Sequence, residues 1–227
     1  MSTTITTPRS RRKFIPLVAA LGAVAALAMA FSWTPANSGF TASINNSNNS
    51  VGSGTLLLSE TQGATTCLSS AAGTVTVANA GTCATINKFG GSTTAVPGTS
   101  YTSTVVIKNT GTLPATTFTL TPAGCTASAN GAVNGTDTAG FCGKVNITIA
   151  DTTGTATCVL PASATACAAP SSTTTLASIG TTPIALAVPL APNATRTFTF
   201  TVQIDNSATN AHQGLAASEA LLWSIAS

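Results

Sequence analysis

The sequence predicts an all-β protein, an antiparallel β-sandwich of roughly eight to ten strands. Three observations support this prediction. Short segments alternate apolar and polar residues with a period of two, as strands with one buried face do. Turn-forming Gly, Asn and Pro residues separate these segments, and no amphipathic helical pattern of useful length occurs. Thr, Val and Ile, which favour strands, are abundant, whereas only 6% of the 227 residues are charged.

The clearest strand pair in the middle of the chain is joined by an Asn-Thr-Gly turn. Its first strand places Tyr101, Val105 and Ile107 on one face, and its second strand places Phe118 and Leu120 on the inner face. We therefore expect two neighbouring antiparallel strands here.

The last third of the chain has the most regular pattern. Residues 195–204 alternate without a break, and burial of each apolar side chain stabilises by about 1.5–3 kcal/mol, so this strand is predicted near the centre of a sheet. Residues 219–226 are predicted to close the chain as a strand with Leu221, Trp223 and Ile225 inward. The other predicted strands are residues 54–60, 74–78, 82–88, 144–150 and 183–188. Residues 124–143 and 151–178 are predicted as inserted loops, and residues 205–218 as a connection.

Residues 1–30 are predicted to be a signal peptide. A basic segment precedes an apolar run at residues 14–27, and Ala28-Met29-Ala30 provides a cleavage site before Phe31. The apolar run is short for a membrane anchor, so contact with a membrane is expected only through an uncleaved leader. Residues 10–14 also resemble a twin-arginine signal, and an ordinary basic segment explains them equally well.

The charge of the chain excludes nucleic acid as a partner. Outside the leader there are four basic and five acidic residues, a net charge of −1, and no basic cluster that would attract phosphates.

Six cysteines follow the leader, and an even number in an exported chain indicates disulfides. Six cysteines allow 15 connectivities. Pairing in sequence order is expected because each pair brackets a turn-rich segment, and each bond closing such a loop is worth about 3 kcal/mol. A metal site is not expected, since close C-x-x-C pairs and accompanying histidines are absent from the sequence. The expected pairs are Cys67 with Cys83, Cys125 with Cys142, and Cys158 with Cys167.

The residues that carry catalysis in common hydrolases are missing. A zinc peptidase of the common type needs two histidines, and a serine triad needs a histidine paired with an acid. The chain has one histidine, His212, in a predicted loop with no obvious acidic partner, and its acids are scattered. We predict that the protein is not an enzyme and has no cofactor, with neither catalytic nor metal-binding residues.

Several short segments occur in a characteristic order after the leader. They are Phe31-Ser32, Gly54-Thr55-Leu56-Leu57-Leu58-Ser59, Pro97-Gly98, residues 105–115 (VVIKNTGTLPA) and Asn210-Ala211-His212-Gln213-Gly214, which the closing strand follows. In this order they resemble the TasA/camelysin family of exported proteins from Gram-positive bacteria. The resemblance implies a jelly-roll-like sandwich and assembly into fibres of the biofilm matrix, in which an N-terminal segment of one subunit completes a sheet of the next. The camelysin branch is associated with metallopeptidase activity, which the single histidine does not support. Three expected disulfides, Thr/Ala-rich insertions and few charges depart from the family pattern.

Two classes of function follow for an extracellular or cell-surface protein whose residues 54–227 form one domain. The first is a structural subunit that self-associates into fibres, alone or with an accessory matrix protein. Residues 31–53 would then be an extended arm that pairs with an open sheet edge of a neighbour, unless the arm folds back on its own sandwich. The assembly residues of the arm are Phe31, Trp33, Phe40 and Ile44. The alternative is a monomeric adhesion or glycan-binding module that uses the two inserted loops, although Phe141 is their one aromatic residue.

Overall fold

A computed structural model of the chain describes residues 50–70, 75, 79–163 and 165–227. The predicted signal peptide and the assembly residues Phe31, Trp33, Phe40 and Ile44 lie outside the described residues. Residues 52–227 form one compact unit.

The described residues form eleven strands, one short helix and two 3-10 turns, and all strand pairs are antiparallel. The prediction of an all-β antiparallel sandwich is confirmed, while the predicted number of eight to ten strands is too low. The strands are β1 (Leu58–Gln62), β2 (Thr65–Leu68), β3 (Ser100–Asn109), β4 (Thr117–Pro122), β5 (Thr126–Ala129), β6 (Val145–Asp151), β7 (Thr157–Leu160), β8 (Ile184–Ala185), β9 (Thr195–Ile204), β10 (Leu215–Ser218) and β11 (Leu221–Ala226). The helix is α1 (Thr138–Phe141), and the 3-10 turns are Cys142–Lys144 and Asn210–His212.

The first layer is a six-stranded sheet in the order β2-β1-β3-β9-β6-β7. Strand β9 lies inside it, between β3 and β6, so the predicted central position of residues 195–204 is confirmed. Phe198 and Phe200 of β9 are fully buried, as are Val105 and Ile107 of β3. The alternation read from the sequence therefore sets which face of this sheet forms the core.

The second layer is built around a long two-stranded ribbon, residues 117–129 paired with residues 215–226. One half of the ribbon pairs β4 with β11, from Thr117↔Ala226 to Pro122↔Leu221. The other half pairs β5 with β10. Between the halves, residues 123–125 lie opposite residues 219–220, which is a β-bulge of one extra residue. Strand β8 pairs with the other side of β4.

Aromatic rings join the two layers. Trp223 of β11 lies against Phe198 and Phe200 of β9, with ring centroids 4.9 and 6.3 Å apart. Phe118 of β4 meets Phe198 edge to face at 5.9 Å. Such contacts add about 0.5–1.5 kcal/mol each beyond their burial, so this cluster holds the ribbon on the six-stranded sheet.

The three disulfides join Cys67 to Cys83, Cys125 to Cys142 and Cys158 to Cys167, which confirms the pairing expected from the sequence. The first ties β2 to the loop that follows it, and the second ties the bulge to the turn after α1. The third closes the turn after β7. Each is therefore a local tie at the end of a strand.

Some segments differ from the sequence predictions. The expected pairing of β3 with β4 is wrong: β3 lies in the six-stranded sheet, whereas β4 pairs with β11 and β8 in the other layer, so the turn after β3 leads from one sheet to the other. Residues 82–88 are a loop instead of a strand, and the predicted strand at 74–78 lies mostly outside the described residues. The two predicted loops contain β5, α1 and β7, and the predicted connection contains β10. Strands β5 (TASA) and β10 (LAAS) have almost no apolar alternation, so their pairing follows from the continuation of the ribbon past the bulge.

Candidate functional site

One edge of the ribbon is open as far as the described residues are concerned. Strands β10 and β11 pair with β5 and β4 on one side, and no strand of the described residues pairs with their other side. The Ala123 N–H donates to the Ala220 carbonyl at 2.9 Å, so alternate residues of β11 from Ala220 onward direct their backbone groups to β4. The backbone N–H and C=O groups that point to the open side are those of Leu215, Ala217, Leu221, Trp223 and Ile225. An unpaired edge of this kind is a template for another strand.

A cleft of about 1120 Å³ lies along this edge. Residues 212–223 form one wall, and the loop at residues 79–97 forms the opposite wall. Between them the cleft is lined by apolar residues of the six-stranded sheet, among them Leu58, Ile107 and Val202. Ligand pockets for small molecules have about 300–1,000 Å³, so the cleft has room for a peptide segment.

Three polar side chains from separate elements meet in the cleft. Glu60 lies on β1 opposite Ile107 of β3, which directs its carboxylate to the inner side of the sheet. Its Oε1 accepts hydrogen bonds from Lys88 Nζ at 2.7 Å and from Trp223 Nε1 at 3.0 Å. The side chains of Lys88 and Glu60 are only 11% and 10% exposed. A buried carboxylate needs such partners, and these connect the sheet, the loop and the ribbon.

Glu219, at the bulge, also lines the cleft, but its environment is different. Both of its carboxylate oxygens are shielded from solvent and make no hydrogen bond to the described residues. Burial raises the pKa of Glu219 from 4.5 to about 7. The backbone amide of Gly124 opposes this pKa shift without reaching hydrogen-bond geometry.

The loop wall of the cleft is held by isolated contacts. The Gln62 side chain donates to the Asn87 carbonyl at 3.2 Å, and the Asn130 side chain donates to the Thr93 carbonyl at 3.0 Å. The Val96 N–H donates to the Tyr101 hydroxyl at 3.0 Å. Residues 79–97 contain no strand, so this wall is held by these side-chain contacts together with the Cys67–Cys83 disulfide and the Lys88–Glu60 ion pair.

His212 has a structural role that the sequence did not reveal. It is buried, Nδ1 accepts the Thr209 N–H at 3.1 Å, and Nε2 lies 3.1 Å from Asp137 Oδ2. Asp137 also caps α1 through the Gly140 N–H at 2.9 Å. Both ring nitrogens are therefore occupied within the protein. The acidic partner that the sequence did not show is 75 residues away in the chain.

The two inserted loops offer little to a sugar ligand. Phe141, their one aromatic residue, is 3% exposed and stacks on His212 with ring centroids 6.2 Å apart. No group of three or more His, Cys, Asp or Glu residues that would hold a metal ion occurs in the part of the chain that the structure describes. Within that same part, no helix is long and apolar enough to span a membrane.

Neither a protein-family model nor a curated protein matches the chain.

Proposed function

We propose that the protein is a structural subunit of an extracellular fibre and that it assembles by strand addition. In this proposal the N-terminal arm of one copy lies in the cleft of the next and pairs with the open edge of β10 and β11. The observation that carries the proposal is an edge with which no strand of the described residues pairs, beside a cleft that has room for a peptide. Backbone pairing supplies affinity in strand addition, and side chains at alternate positions supply specificity.

The lengths of the arm and the edge agree. Residues 31–44 extend to about 46 Å as a strand, and residues 215–226 present an edge of about 40 Å. Phe31 and Trp33 share one face of a regular extended arm, whereas Phe40 and Ile44 share the opposite face, so one of the two pairs would face the cleft. Burial of such side chains against the partly exposed cleft residues Phe89 and Leu221 is worth about 1.5–3 kcal/mol each.

The disulfides support an extracellular setting. Three disulfides indicate that the protein folds in an oxidising compartment. Export through the predicted signal peptide accounts for this, and cleavage before Phe31 would leave the arm at the new N-terminus. The resemblance to the TasA/camelysin family supports the same function, and a jelly-roll connectivity is part of the proposal.

The first test is negative-stain electron microscopy of the oxidised, concentrated chain that begins at Phe31. Regular filaments are expected, and deletion of residues 31–44 should abolish them. Monomers across salt and pH would favour the binding module instead. Unchanged filaments after the deletion would refute the role of the arm.

A second test addresses the edge itself. The Ile225 N–H points to the open side of β11, so Ile225→Pro removes an edge donor without removing a bond to β4. Ile225→Ala is the matched control, because it loses the same side chain and keeps the N–H. Filaments from the alanine variant but not from the proline variant are expected. Equal assembly of both variants would show that the arm does not pair with this edge of β11.

A further inference from the structure

Glu219 occupies the middle of the open edge. Ala217 and Leu221, which present backbone groups to the open side, flank it along the chain. An arm that pairs with both β10 and β11 must therefore cross the bulge at residue 219. Docking there removes the remaining solvent from a side chain whose carboxylate oxygens already lack both solvent and a hydrogen-bond partner in the described residues.

The other titratable groups that line the cleft have partners. They are Glu60 of β1, Lys88 of the loop, Tyr101 of β3 and His212. Glu60 binds Lys88 and Trp223, the Tyr101 hydroxyl accepts the Val96 N–H, and His212 contacts Asp137. No cation in the described part of the chain is paired with Glu219. When Glu219 is ionised, its negative charge in the cleft is therefore not compensated by a neighbouring cation.

We propose that protonation of Glu219 controls assembly: the neutral side chain admits the arm of the next copy, and the ionised side chain opposes it. This inference rests on the proposed function and adds its regulation. It follows from the position of Glu219 at the bulge that the arm must cross, and from a shielded carboxyl group that has no hydrogen-bond partner in the described residues. A buried carboxylate without a partner is strongly disfavoured, whereas a neutral carboxyl group is tolerated.

The direction of the pH dependence follows from linkage. The pKa of Glu219 in the free subunit is raised to about 7 by burial, and further burial on docking raises it again. Docking therefore takes up a proton at pH values above about 7 and leaves the protonation unchanged well below it. Assembly is strongest at acidic pH and weakens as the pH rises through 7, by at most about tenfold in affinity per pH unit for one proton per interface.

The test measures the critical concentration for assembly by sedimentation, with the oxidised chain from Phe31 at pH 5.5, 6.5, 7.5 and 8.5. For the wild type, a constant value at the two lower pH values and a rise of about five- to tenfold from pH 7.5 to 8.5 are expected. Glu219→Gln and Glu219→Leu, which stay neutral, should keep the low value throughout. The control Asp205→Asn removes a carboxylate that is ionised over this whole range, since hydrogen bonds from Ser207 and Asn146 lower its pKa to about 2. The critical concentration of the Asp205→Asn variant should therefore depend on pH as that of the wild type does.

Near-UV circular dichroism verifies that each variant is folded. Filaments with no pH dependence, or a pH dependence that persists in both neutral variants, would overturn the control by Glu219 alone. Absence of filaments from the wild type and the variants at every pH would overturn the proposed function, and the regulation with it.

Discussion

The contact between Glu60 and Lys88 gives a quantitative prediction for stability. Glu60→Leu leaves the Lys88 ammonium group, 11% exposed, without the carboxylate at 2.7 Å. Removing one partner of a buried ion pair costs about 3–5 kcal/mol. Because Lys88 belongs to a loop without a strand ladder and can turn toward water, we expect the lower end, about 3 kcal/mol. Lys88→Met should cost a similar amount, since it leaves the Glu60 carboxylate with Trp223 alone.

The double variant separates pairing from burial. Glu60→Leu with Lys88→Met leaves no buried charge at this position. The Trp223 Nε1–H loses its acceptor, and this unsatisfied donor costs about 1–3 kcal/mol of stability. The double variant should therefore lose no more than about 3 kcal/mol, compared with about 6 kcal/mol if the two changes were additive.

Urea and thermal unfolding of the oxidised chain from Phe31, followed by far-UV circular dichroism, measures these values. For a domain of this size about 3 kcal/mol lowers Tm by roughly 6–12 °C. The control is Lys144→Met, whose ammonium group contacts Ser207 Oγ at 2.9 Å at an exposed position and should change stability by less than about 0.5 kcal/mol. Additive losses in the double variant would refute the assignment of a coupled, buried pair.

Three further predictions concern the core, the Cys125–Cys142 disulfide and the cap of α1. Phe200→Ala, at a fully buried position of β9, should cost about 3–5 kcal/mol and lower the urea midpoint accordingly. Replacing both Cys125 and Cys142 with alanine opens a tie between residues 17 positions apart and should cost about 3 kcal/mol, measured against the wild type in the same unfolding assay. Asp137→Ala removes the cap of α1 and the contact to His212, and should cost about 1–2 kcal/mol. Asp137→Asn keeps an oxygen for the cap and should recover part of this loss.

The sequence predicts the strands whose side chains alternate strongly. Strands β3, β4, β6 and β9 follow the predicted segments closely, because one apolar face of each is required by the core. Strands β5 and β10 are built from Ala, Ser and Thr with little alternation, so their position depends on the ribbon register that β4 and β11 set. Residues 82–88 show the opposite case, in which a weak alternation belongs to a loop.

The candidate site is the part that the sequence predicts least. Glu60 and Trp223 are 163 positions apart, and a periodic pattern along the chain contains no information about such a contact. The same holds for Asp137 and His212. The environment of Glu219 depends on a bulge, which arises from a change in register between two distant segments. The sequence predicts an arm that pairs with an open sheet edge in general terms. Which edge is open follows only from the strand order.

The short spans of the three disulfides affect how the protein matures. The partners are 16, 17 and 9 positions apart, and no pair overlaps another along the chain. If the chain is exported in an extended form, as the proposed function allows, it presents both thiols of one pair before the first thiol of the next. Oxidation in order of emergence therefore gives the native set among 15 possible ones, without the reshuffling by an isomerase that interleaved bonds require. By that route, all three disulfides can form before the two sheets have packed together.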